Sequence, residues 1–168
     1  KRIFFYQTIA LIVVVALGWF FVNKISSEKF LNKQKVFLDQ TRILSKTINP
    51  QHLLKFQKTK DDIMLPQCDR LWDQLKQMMR VFPQYRFSYL LGERDQKFIF
   101  LIDSEPAGSP DRSLPGDVYD DAPSELFLIL EGKKEKLIGP YVDQWGTWVT
   151  AAVPILHSDS GQVLAIFC

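Results

Sequence analysis

Residues 145–156 read WGTWVTAAVPIL, and the alternation within them decides the fold. Val149, Ala151, Val153 and Ile155 fall on one wholly apolar face, and Trp148, Thr150 and Ala152 point the other way, with the two-residue period of a strand. The apolar face suits packing under a long helix. The mixed aromatic and hydroxyl face, lying under a long connection, is what a small-ligand pocket needs. It is equally what a second core layer looks like.

Four more short runs, at 87–91, 97–103, 136–142 and 162–167, are rich in β-branched and aromatic residues and read as strands. Residues 93–96 make a tight turn between the first two, and HSDSG at 157–161 another between the last two. The connection from 104 to 136 is long. It carries Pro106, Pro110, Pro115, Pro123, Gly108 and Gly116 before a short helix at 124–130.

Upstream the period becomes helical. Phe30, Phe37 and Leu44 recur every seven residues, with Leu31, Leu38 and Ile48 thickening the stripe, so 24–48 reads as one helix. The stripe can face its own domain or form the seam of a homodimer. Asn49-Pro50 ends it and can cap a new short helix. A further helix is expected at 69–81, with Leu71, Trp72, Leu75, Met78 and Met79 on one side and Pro83 behind it.

Residues 3–22, IFFYQTIALIVVVALGWFFV, contain no charge and have aromatics near both ends. As a helix they would span roughly 30 Å, the thickness of a bilayer's hydrocarbon core. The run is too long, and its end too bulky, for a cleaved signal peptide. Lys1 and Arg2 precede it and Lys24, Lys29, Lys33 and Lys35 follow it, so charge leaves the orientation open. Nine Lys/Arg against two acids over 24–60 read as a solvated face, and could also touch anionic headgroups. The expected fold class is therefore α+β: an N-terminal transmembrane helix (1–23) continuing into a long helix packed on a five-stranded antiparallel sheet (24–168). The chain starts at Lys1 rather than Met and stops inside an apolar run, as a piece of a longer protein does.

Several functions find no support in the residues. A formal charge of +2 makes no case for nucleic acid. Two histidines cannot build a three-His metal centre, and no P-loop, GxSxG or HExxH pattern is present. His157, Ser158 and Asp159 have the residue types of a nucleophilic triad, but in a four-residue turn they serve turn geometry. The connection and its flank hold seven carboxylates against one base, Arg112, without the alternating spacing of a calcium loop; a solvated loop accounts for them. Cys68 and Cys168 can pair or stay free. No catalytic residue, metal or cofactor is expected. For ligand contacts the candidates are Tyr89, Tyr119, Tyr141 and Trp148, which offer a ring face with a polar edge, together with Thr150 and with Asp103 at the mouth of the connection.

The blocks SYLLGERDQKFIFLIDSEPAGSPDRSLPGDVYDDAP (88–123) and GPYVDQWGTWVTAAVPILHSDSGQVLAIF (139–167) complete the pattern. With the anchor and the long helix, the chain resembles the extracytoplasmic PAS-like sensors, the Cache or PDC domains, of bacterial and archaeal membrane histidine kinases and diguanylate cyclases. In these, DSEP, PG and Tyr elements sit in the crossover, and GPY, WGTW and API-like elements on the central strands. The resemblance implies a cytoplasmic N-terminus, a sensor domain outside the plasma (inner) membrane, a second membrane helix after Cys168 and a cytoplasmic output module, more often a kinase. The segment itself would not be an enzyme. Its partners would be an unknown small molecule, the lipid bilayer through residues 3–22, and a second copy through the Phe30/Phe37/Leu44 face. The arginine-tryptophan-tyrosine pattern of amino-acid-binding relatives has no match. A membrane-anchored dimerisation domain without a ligand is the alternative.

Overall fold

The computed structural model describes residues 2–168, with side chains from Val15 onward. The chain divides into two compact units, one ending at Phe37 and one spanning Leu38–Cys168. The first is the greater part of helix α1 (Arg2–Ser45). Among the described residues no helix is long and apolar enough to cross a membrane. The transmembrane expectation for 3–22 therefore gains no support here, and most of that stretch lies outside the described side chains. Within this unit Phe30 is 60 % exposed.

The second unit is α+β. The last turns of α1 are followed by α2 (Pro50–Leu53), a 3-10 turn (Lys60–Met64) and α3 (Pro66–Val81). Asn49 caps α2 as its sequence requires: its side-chain oxygen accepts from the Gln51 N–H at 3.0 Å, with Pro50 in the first turn. Strands β1 (Tyr89–Arg94), β2 (Lys97–Asp103), β3 (Lys136–Asp143), β4 (Gly146–Leu156) and β5 (Val163–Phe167) form one antiparallel sheet in the order β2-β1-β5-β4-β3. Helix α4 (Glu125–Gly132) interrupts the connection between β2 and β3. Asp95 and Gln96 both have positive φ, 54° and 59°, as a two-residue hairpin turn matched to strand twist needs.

Alternation along the strands gives the sheet two apolar faces. Leu90, Leu101, Ile155, Ala165 and Phe167 meet Leu53 of α2 and Leu71, Leu75 and Met78 of α3, with Ile48 buried among them and Leu44 packed alongside. The seven-residue stripe of α1 is thus divided: Leu44 serves its own domain's core. Leu91, Phe98, Phe100, Ala152 and Ile166 face the other way, against Tyr119 and against Leu126 and Ile129 of α4. Ile155 and Ala152 of the opening stretch lie on opposite faces, as its alternation predicts. Cys68 packs in the first core and Cys168 against the second, and both thiols are free.

The connection runs as an irregular strap along the outer edge of β2. Phe100 donates to the Asp117 carbonyl at 2.9 Å, Gly116 to that of Phe100 at 2.9 Å, and Tyr119 to that of Phe98 at 2.8 Å. These bonds cover an edge that would otherwise be open to pairing with another chain. Gly116 makes the path possible. It has φ +86°, and a Cβ there would lie 2.5 Å from the Lys60 nitrogen. Gly116→Ala should therefore lower the unfolding free energy by about 2 kcal/mol or more, read from urea unfolding. A change under about 0.5 kcal/mol would mean that the strap does not need this approach.

Candidate functional site

On the strap-covered face the strands bring aromatic and polar side chains together. The bulge between Ile138 and Tyr141 is decisive. Residues three apart in a regular strand point to opposite faces. The extra residue brings Tyr141 onto the same face as Ile138, opposite Trp148. Gly139 permits it: a Cβ at its φ of +114° would meet the Trp148 carbonyl at 2.5 Å. Along β4 the two-residue period then presents Trp148, Thr150 and Ala152.

Asp143, at the end of β3, organises the cluster. Its Oδ1 accepts from the backbone N–H groups of Trp145 (2.9 Å) and Gly146 (3.1 Å) and from Trp148 Nε1 (2.9 Å). Its Oδ2 accepts the Tyr119 hydroxyl at 2.6 Å. The Tyr119 hydroxyl also lies 3.4 Å from that of Tyr141, which shares a 2.9 Å hydrogen bond with Thr150 Oγ1. Rings close around these polar atoms edge to face: Phe87 against Trp145 and Trp148, Phe100 and Tyr119 against Trp145, and Tyr89 against Phe100 and Tyr119. Edge-to-face contact suits the ring quadrupoles. Tyr119 and Phe100 are buried, whereas Phe87, Tyr141, Asp143, Trp145, Trp148 and Thr150 keep part of their surface in solvent.

Burial pushes the Tyr119 phenol well above its usual range, and its bonds to Asp143 and Tyr141 push the same way. Tyr89 moves up as well, chiefly through burial. Both therefore stay neutral at physiological pH.

Five of the six candidate ligand contacts converge here: Tyr89, Tyr119, Tyr141, Trp148 and Thr150. Asp103 has other partners. It pairs with Tyr89 in the β1–β2 register, but its carboxylate accepts from Glu105 N–H at 3.0 Å and Ser113 N–H at 2.8 Å and pins the start of the connection. Beside it, Arg86 binds both Glu105 and Asp111 (2.8 Å to the latter). The sequence did not single out Asp143, Trp145, Phe87 or Phe100. Asp-x-x-Gly at a hairpin is an available signal for the first, since an Asp at that place bonds the turn's N–H groups.

Among the described residues no group of His, Cys, Asp and Glu could hold a metal ion. His157 serves its turn, Nδ1 accepting from Asp159 and Ser160 N–H at 3.2 and 3.3 Å. Scanned against protein-family models, curated proteins and solved structures, the chain matches none.

Asp103 is only 5 % exposed, and burial raises its carboxyl to about 6 despite the two N–H groups that favour the charge. A folded-state value above the unfolded one near 4 contributes stability in acid, fully present below about pH 4 and lost as pH rises through about 6. The stability advantage of the wild type over Asp103→Asn should thus shrink between pH 4 and pH 7, by about 2 kcal/mol. Chemical denaturation of both proteins across that range checks it. A constant difference would place the Asp103 carboxyl at an ordinary value.

Proposed function

We propose that this chain is the extracytoplasmic ligand-sensing region of a transmembrane signal-transduction receptor, a sensor histidine kinase, anchored in the plasma membrane through residues 3–22 and working as a homodimer. The observation that carries this reading is the convergence of Tyr119, Tyr141, Asp143, Trp148 and Thr150 in a partly buried cluster on one face of the sheet. On the opposite face, Leu44 at the end of α1 and Ile48 just beyond it pack with the same strands. The α+β architecture, with a strap crossing from β2 to β3, agrees with the resemblance to PAS-like sensors.

In this proposal a small molecule at the cluster changes how strongly the strap and the β3–β4 hairpin hold together, and the sheet carries that bias to α1. A ligand can shift such an equilibrium only through its differential affinity for the two arrangements. Exposed Phe30 favours a second reading, an anchored dimerisation domain without a ligand. Such a domain would dimerise strongly in ligand-free buffer and bind none of a metabolite panel.

Trp148→Ala separates ligand contact from core. Its side chain is only partly buried, so the variant should lose less than about 2 kcal/mol of stability while losing the thermal shift that active metabolites give the wild type. A cost of about 3–5 kcal/mol, usual for removing a buried large aromatic, would make Trp148 a core residue and weaken the sensing proposal. Anchorage has its own test. The intact chain should co-sediment with phospholipid vesicles and resist alkaline extraction, and a chain lacking residues 1–23 should stay in the supernatant. Equal behaviour of the two would remove the bilayer as a partner.

A further inference from the structure

The Asp143 carboxylate is partly screened from water, yet among the described residues no lysine or arginine forms an ion pair with it. The cation in reach of the aromatic cluster is Arg86, whose guanidinium lies 4.1 Å from the Phe87 ring centre. Glu105 and Asp111 already neutralise it. Among the described residues the Asp143 carboxylate is thus left without a cationic partner, beside the Trp145, Trp148 and Tyr119 side chains. Ring faces are themselves attractive to cations. An anionic ligand would meet repulsion from both sources.

The acceptors narrow the choice. A carboxylate has about four lone-pair sites; on Asp143 two backbone N–H groups and the Trp148 indole crowd Oδ1 and the Tyr119 hydroxyl takes one side of Oδ2, which leaves one site open. The Tyr141 and Thr150 hydroxyls are bonded to each other. A primary ammonium, strongly hydrated and bearing three donors, would exchange its water for acceptors that are largely occupied. A quaternary ammonium has no such donors to satisfy. It needs only the charge and the ring faces.

We propose that this cluster takes a quaternary ammonium group, free or as part of a larger ligand, attracted by Asp143 at short range and packed against the neighbouring aromatic rings. The proposal rests on the sensing function proposed above and names the ligand class of that same site.

Tetramethylammonium, tert-butyl alcohol and pivalate are similar in size and differ in charge, and methylammonium supplies the donor-bearing cation. Each is titrated into the intact chain in detergent micelles at constant ionic strength, followed by tryptophan fluorescence and calorimetry. Tetramethylammonium should saturate with a dissociation constant about tenfold or more below that of tert-butyl alcohol. Methylammonium should be weaker, and pivalate should be the poorest. Asp143→Asn should erase the preference for the cation over the alcohol. Should that variant fail to fold, because its turn is loosened, the four wild-type titrations still decide. If the alcohol or pivalate binds as well as tetramethylammonium, the cation proposal falls and the sensing site stands. If methylammonium binds best, the site prefers N–H donors and the quaternary class is wrong. If no probe saturates while the chain stays folded, the ammonium proposal and the cluster's role as a ligand site fall together.

Discussion

The domain depends on β5. Residues Val163–Phe167 lie at the centre of the sheet, pairing with β1 on one side (Leu90 with Phe167, Leu91 with Ile166) and with β4 on the other (Val153 with Phe167, Ile155 with Ala165). Without it, the β1–β2 and β3–β4 hairpins would be separate two-stranded pieces, each too small to be stable in water alone. Its side chains close both cores at once, Ala165 and Phe167 toward the helices and Ile166 toward the strap. The pairing with β1 joins positions more than seventy residues apart in sequence. Both layers therefore depend on one non-local pairing, a kind of contact that slows folding compared with local helical packing.

Centring β5 also sets what each face can do. The helical face is filled by aliphatic side chains from α2, α3 and the end of α1, with Leu71, Leu75 and Leu90 wholly buried. The strap face is aromatic, with a polar cluster toward its β3–β4 end. Its partners come from four places: Phe87 and Tyr89 before and at the start of β1, Phe100 from β2, Tyr119 from the strap, and the hairpin from Tyr141 to Thr150. The hairpin supplies most of the cluster, and its Trp145 and Trp148 retain some solvent-facing surface.

Much of this was legible in the sequence, because it depends on short periods. Period-two alternation located β4, and runs of β-branched and aromatic residues located the other four strands, to within a few residues. Asn49-Pro50 marked a helix start, and HSDSG a turn. The mixed face of WGTWVTAAVPIL does join the candidate tyrosines. Long-range backbone geometry was not legible. Nothing local in PGDVY announces that 116–119 lies along β2, because that path is fixed by Gly116 against residues 59–60 and by carbonyls at Phe98 and Phe100. Asp103 was expected at the ligand because it ends a strand; in the fold its carboxylate turns to the N–H groups of the loop that leaves that strand. Asp143 escaped notice for the opposite reason. As an ordinary turn residue, it gives no hint that the bulge at Gly139-Pro140 brings Tyr141 toward it.

That double role of Asp143 bears on how a ligand could act. Two of its four bonds come from the turn's own backbone and one from a ring two residues farther on, so the carboxylate is fixed before any ligand arrives. A charge already in place need not be ordered on binding, which lowers the cost of association. The fourth bond, from Tyr119, crosses from the hairpin to the strap and is the bond of Asp143 that joins two separately anchored elements. The strap is held independently, along β2 by backbone bonds and at its start by Asp103. A guest cation beside Asp143 would draw on the same charge that holds the Tyr119 hydroxyl. Under the proposed function, this competition lets occupancy of the site alter the grip of hairpin on strap while the five strands keep their register.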